Sequence, residues 1–116
     1  MEFSKALMFV QAKYETRREA DHCYLIYTGL TYDGCNGFCV NLYRDENGEA
    51  IITDLGATKD FYDEVTEQDW KKRCKRAGFE FNHWHIELKY EKIGDVAKFI
   101  KFIDSIADEF FDIGDK

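Results

Sequence analysis

Three residues, Asp54 near the middle of the chain and Glu87 and Lys89 further on, are of the types that metal-dependent nucleases of the Asp…Glu-x-Lys kind employ. In that chemistry two carboxylates hold Mg²⁺, and the lysine orients or activates the attacking water. Side chains alternate along a strand, so Glu87-Leu88-Lys89 in extended form puts Glu87 and Lys89 on one face. Two features oppose this reading. A helix and a short strand are predicted between Asp54 and Glu87, whereas such enzymes carry the two acids on consecutive strands. Glu-x-Lys alternation is also what any solvated strand face displays. The nuclease is therefore the alternative reading.

The sulfur and imidazole groups suggest a second chemistry. Cys35 and Cys39 have a Cys-x₃-Cys spacing suited to zinc, and His83 and His85 are the nearest imidazole pair, but His-x-His is shorter than the usual gap of about three to five residues. Inert thiols and surface imidazoles are the commoner meaning of such a set, so neither a metal nor any other cofactor is expected. His22 and Cys23 are sequence neighbours on a predicted strand and point to opposite faces, which rules the pair out as a nucleophile–base dyad. The loop Asp33-Gly34-Cys35-Asn36-Gly37 lacks the lysine and the helix entry of a phosphate-binding loop. Lys71, Lys72, Arg73, Lys75 and Arg76 form a basic run beside Trp70, with Trp84 further on. Such a run can meet phosphates and stacked bases, but more often it is a solvated helix face paired with acids such as Glu67 and Asp69.

The elements that would position these groups are legible from periodicity. Phe38, Val40 and Leu42 alternate with Cys39, Asn41 and Tyr43, the pattern of a strand with one buried face. Asp45-Glu46-Asn47-Gly48 supplies a turn, because Asn and Gly tolerate positive φ. Ala50, Ile51 and Ile52 resume the strand, which closes on Thr53-Asp54-Leu55-Gly56. Phe3, Ala6, Leu7, Val10 and Tyr14 predict a helix over residues 2–15, and the charged stretch Glu15–Glu19 is expected to carry the chain off it. Cys23–Thr28 reads as a short strand. Thr66-Glu67-Gln68-Asp69 resembles a capping box, starting a helix through Trp70, Cys74 and Ala77 that Gly78 ends. Phe79-Glu80-Phe81 and His85–Tyr90 read as strands broken by a tight turn or bulge at Asn82-His83. Ile93, Val96, Ala97, Phe99, Ile100, Ile103, Ile106, Ala107, Phe110 and Phe111 form the apolar stripe of a long terminal helix. The expectation is a single α+β domain over residues 1–116, an antiparallel sheet of hairpins packed against helices in the order α-β-β-β-α-β-β-α.

Composition narrows the partners. The 116 residues are 45% hydrophobic and 34% charged, a balance that buries a core and excludes a disordered chain. Net charge is −7, spread along the chain, which makes direct nucleic-acid binding unfavourable and suits a basic protein partner. No secretory signal and no membrane-spanning run is legible, so a cytoplasmic location with reduced cysteines is expected.

From Phe38 to the terminal helix, the strand ending Ile52-Thr53-Asp54-Leu55-Gly56, the helix after it, Ala77-Gly78-Phe79-Glu80-Phe81, and the strand Ile86-Glu87-Leu88 resemble the family catalogued as domain of unknown function 1828. That resemblance, over roughly residues 38–112, implies a strand closing on a glycine turn, a glycine-led hairpin and a terminal amphipathic helix. It also implies a habitat in bacteria, archaea and mobile elements. Leu55 stands where the family turn carries an acid, which removes a paired carboxylate there. With no coherent catalytic set, the sequence favours a non-enzymatic protein-interaction domain. The family habitat adds the narrower expectation of a phage or mobile-element accessory, an anti-defence inhibitor of a nucleic-acid-guided nuclease. Tyr32, Tyr43, Phe61 and Tyr62, rimmed by Asp60, Asp63 and Glu64, are the expected binding residues, since aromatic anchors with a charged rim suit interfaces.

Overall fold

Apolar alternation and apolar stripes meet in two layers. The computed structural model describes residues 1–114, and side chains through Phe110. Helix α1 (Phe3–Lys13) leads into β1 (Thr16–Ala20), β2 (Cys23–Thr31), β3 (Gly37–Arg44) and β4 (Ala50–Thr53). Two helices follow, α2 (Ala57–Phe61) and α3 (Glu67–Ala77), then β5 (Glu80–Asn82), β6 (His85–Lys89) and α4 (Asp95–Gly114). The six strands form one antiparallel sheet in the order β1-β2-β3-β4-β6-β5. The α+β class therefore holds, with the element order corrected to α-β-β-β-β-α-α-β-β-α.

The two added elements have a common cause. Residues 16–20 carry the charges of Arg17, Arg18 and Glu19, and all but Thr16 are exposed; they are extended because the outer edge of β2 offers them backbone partners, Thr16 to Ile26 and Arg17 to Leu25. The charges also protect that sheet edge from further pairing. Helix α2 is a single turn, too short to produce a periodic stripe.

Elsewhere local chemistry sets the boundaries as the residues dictate. The Asp45 carboxylate accepts from the N–H groups of Asn47 and Glu49, and Gly48 takes φ 79°, closing the β3–β4 hairpin. Thr66 caps α3 by accepting from the Asp69 N–H at 3.2 Å, and Gly78 ends it at φ 87°.

All four helices lie on one side of the sheet. Phe3, Ala6 and Val10 of α1, Trp70 and Cys74 of α3, and Val96, Phe99, Ile103, Ile106 and Ala107 of α4 share a core with Ile26, Val40, Leu42, Ile52 and Ile86. Each large aliphatic or aromatic side chain buried there stabilises the fold by about 1.5–3 kcal/mol. Ile93 and Ala97 fall outside the α4 stripe and are exposed, and the side chain of Phe111 lies outside the described residues. The opposite sheet face carries Tyr43, Ile51, Thr53, Glu87 and Lys89; Ile51 is buried but takes no part in the core.

Candidate functional site

Asp54 is the hub of one end of the molecule. It follows the last residue of β4 and is 2% exposed. Its Oδ1 accepts from the N–H groups of Gly56 and Ile86, both at 2.9 Å, and its Oδ2 from that of Thr58 at 3.2 Å. One carboxylate thus joins the end of β4, the start of α2 and β6. It satisfies donors that the sheet and the first turn of the helix leave open. Thr58, itself fully buried, passes the order on: its hydroxyl shares a 3.1 Å hydrogen bond with that of Tyr32, and Tyr62 donates to the Tyr32 carbonyl at 3.3 Å.

Around this hub the chain gathers aromatic rings and acids. Tyr32 stacks on Phe61 at 4.6 Å between ring centroids and meets Tyr62 edge-on at 5.6 Å; Tyr62 packs in turn on Phe110 of α4. Tyr32 is buried and serves as the ring the others lean on, while Phe61 is exposed and Tyr62 half-buried. Asp60, Asp63 and Glu64 are exposed beside them. Asp33 adds a further acid from the β2–β3 loop. Backbone N–H donors of Asn36 and Cys35 hold its carboxyl below the usual range. Burial, with Asp33 and Asp108 nearby, pushes the Tyr62 hydroxyl up to about 12. Burial does the same to Tyr32, against the opposing hydrogen bond from Thr58, and takes it to about 12.

Two turns flank this corner. The connection of β5 to β6 has only His83 and Trp84 between the paired residues Asn82 and His85, and both take positive φ, 51° and 69°. That is the pattern of a type I′ hairpin built without glycine. Leu55, at φ 53°, and Gly56, at φ 83°, form the other turn. The turns touch: a Cβ on Gly56 would lie 3.1 Å from the His85 ring and 3.5 Å from the Trp84 carbonyl. Lys59 of α2 sets its ammonium 4.7 Å over the Trp84 ring and 3.6 Å from Asp60.

Of the seven residues expected to bind, Tyr32, Asp60, Phe61, Tyr62, Asp63 and Glu64 are brought to this corner. Tyr43 is not. It stands on the helix-free sheet face and donates to Glu87 Oε2 at 3.1 Å, and burial, then Glu87, pushes its hydroxyl up to about 12. Leu55, Lys59, Trp84 and Asp33 belong to the corner as well. The turn expected at Asn82-His83 lies one residue later, at His83-Trp84, because Asn82 pairs with His85; that shift is what brings Trp84 into the corner.

The nuclease set separates. Strands β4 and β6 are hydrogen-bonded neighbours, so the intervening helix and strand do not keep Asp54 and Glu87 apart in the sheet, a correction to the sequence argument. What divides them is direction. Thr53 pairs with Glu87 and Ile51 with Lys89 on the helix-free face, whereas Asp54 turns inward, where its charge acts on Tyr32 and Cys74. With its oxygens engaged by backbone donors, Asp54 is not placed to share a cation with Glu87.

Among the described residues, no group of three or more His, Cys, Asp or Glu side chains is arranged to hold a metal ion. All four cysteines are free thiols, and burial pushes that of Cys74 up to about 12. In the basic run, Arg73 makes a two-pronged pair with Glu109 at 2.6 and 2.9 Å, and Lys71 pairs with Glu67 at 3.0 Å. No helix of the described residues is long and apolar enough to cross a membrane. No family model, no curated protein and no solved structure matches the chain.

Proposed function

We propose that this protein is a small acidic, non-enzymatic interaction domain that docks a basic protein surface on its α2 corner. The observation that carries the reading is the segment Asp60–Glu64, with Phe61 exposed and Tyr62 half-buried among its acids, joined by Asp33 from the β2–β3 loop. Aromatic surface supplies apolar contact at small entropic cost, and the acids select a cationic partner and speed encounter. A net charge of −7 extends that selection over the whole molecule. In keeping with the resemblance to domain of unknown function 1828, the narrower form of the proposal is a mobile-element accessory. It would occupy the basic groove in which a nucleic-acid-guided nuclease of host defence holds its strands.

Two measurements test this. In a display selection of random peptides on the immobilised chain, lysine- and arginine-rich sequences should be enriched. The triple variant Asp60→Asn, Asp63→Asn, Glu64→Gln should weaken the selected peptides about tenfold, the effect of roughly 0.5 kcal/mol per rim charge. Recovery of acidic or uncharged peptides alone would end the reading. For the narrower form, target cleavage by guided nucleases is followed with and without the chain. Undiminished cleavage with a stoichiometric excess, nuclease after nuclease, would remove it while leaving the docking surface to the peptide test.

A further inference from the structure

We infer that Leu55 and Trp84 together form the apolar anchor with which the acidic corner grips a lysine- or arginine-rich segment of a partner protein. The inference rests on the interaction reading above and names the residues that give it hold.

The argument starts from the backbone. Among the described residues the non-glycine positions at positive φ are Leu55, His83 and Trp84, and they sit in two turns that touch. L-residues with bulky side chains resist that conformation, and Asn or Gly is the ordinary occupant of such turns. Backbone preference therefore gives no reason for Leu or Trp in these places. Nor is burial complete: Leu55 is 47% exposed, and Trp84, although packed on Phe81 and Lys59, is 38% exposed. An outlier kept at a backbone cost, with part of its side chain open to water, points to use of that side chain.

The turns are also held firmly enough to present a fixed shape. The Asp54 carboxylate ties Gly56 and Ile86 together, and the two turns lie so close that a side chain on Gly56 would crowd the His85 ring. Phe81 meets the Trp84 ring edge-on at 6.0 Å and Lys59 covers its face, so the ring is oriented before any partner arrives. Charge decides what the partner is. Lys59, over the Trp84 ring, is matched by Asp60, and Asp63 and Glu64 follow with no ion pair among the described residues. That surface repels phosphate and attracts ammonium and guanidinium groups, which can also lie against an indole face.

The test uses asparagine, which suits positive φ, so that Leu55→Asn and Trp84→Asn retain the turns while deleting the anchor. The probe is a basic peptide recovered by the selection described above. Each variant should melt no lower than wild type and bind that peptide about tenfold more weakly, the usual scale for an interface anchor. A Trp70→Phe background leaves Trp84 as the sole tryptophan, and its emission should shift to shorter wavelength when the peptide binds. Full-strength binding by both Asn variants, with loss only in the Asp60, Asp63, Glu64 triple variant, overturns the anchor and leaves the acidic docking reading intact. Unchanged Trp84 emission on saturation overturns it too, even where an Asn variant fails to fold. If no basic peptide binds, the docking reading and the anchor fall together.

Discussion

Asp54 and Glu87 lie one step apart in register on paired strands, yet their carboxylates have opposite surroundings. Asp54 points among the helices and is held by the backbone N–H groups of Gly56, Ile86 and Thr58. Glu87 points to the helix-free face and is held by side chains, the hydroxyl of Tyr43 at 3.1 Å and the amide of Asn82 at 3.2 Å. Backbone donors cannot turn away to find water. An acid that satisfies them becomes part of the wiring of the fold, while one held by mobile side chains on an open surface is replaceable.

Mutation of each should reproduce the contrast. Asp54→Ala orphans buried donors at about 1–3 kcal/mol each, so a loss of about 3–5 kcal/mol is expected, with Tm lowered by about 10 °C or more. Glu87→Ala should stay within about 1 kcal/mol, because both of its donors can be solvated. Urea unfolding followed by circular dichroism measures both. Equal losses would dissolve the distinction, and a loss in Asp54→Ala confined to α2 would show that the hub serves the corner alone.

The same contrast explains which parts of the molecule could be read in advance. The β3–β4 hairpin, the caps Thr66 and Gly78 and the α4 stripe from Val96 to Ala107 are written in residues a few positions apart, and these stand where their spacing placed them, whereas Ile93 and Ala97 face water. Strand β1 left no pattern because both its faces meet water, and its extended form comes from β2. The β4–β6 pairing joins residues more than thirty positions apart, so the spatial relation of Asp54 to Glu87 was out of reach. Half of the Asp54 hub is local, since a carboxylate two and four residues before open N–H groups is a familiar turn arrangement. The other half, Ile86, comes from across the sheet. The α2 corner was legible as a cluster of aromatic and acidic types, but Leu55 and Trp84 enter it only through the contact of two turns.

Titration sharpens the comparison at alkaline pH. Tyr32 on the sealed side and Tyr43 on the open side are both raised to about 12, the first by burial against Thr58, the second by burial and Glu87. A phenol whose folded pKa exceeds its unfolded value lends stability that is complete below the unfolded value and is lost as pH climbs through the folded one. Unfolding free energy should thus fall from about pH 10 toward pH 12. Glu87→Gln removes the charge that opposes ionisation of Tyr43, so one tyrosinate should appear at lower pH in absorbance titrations. Tyr32, screened from that face by the sheet, should not move. A shift of more than one tyrosine would mean that the two faces communicate electrically.

The smallest effect belongs to the pair that looks strongest in outline, Arg73 with Glu109. Its geometry is two-pronged, and Arg73 holds the Glu109 carboxyl below its usual range. Arg73 is nonetheless 30% and Glu109 48% exposed, so solvent screening discounts the bond and Glu109→Gln should cost no more than about 1 kcal/mol. Because the folded pKa of Glu109 is depressed, whatever the pair contributes is present above the ordinary carboxyl value and lost as pH falls through the depressed one. Arg73 also lies 4.9 Å over the Phe110 ring, which Glu109→Gln leaves covered and Arg73→Ala strips. The difference between these two variants, measured at low and at high salt, separates charge from cover. A difference that persists in high salt assigns the larger share to the ring, and would place the value of this basic helix in the packing of α4 against Tyr62 rather than in its charge.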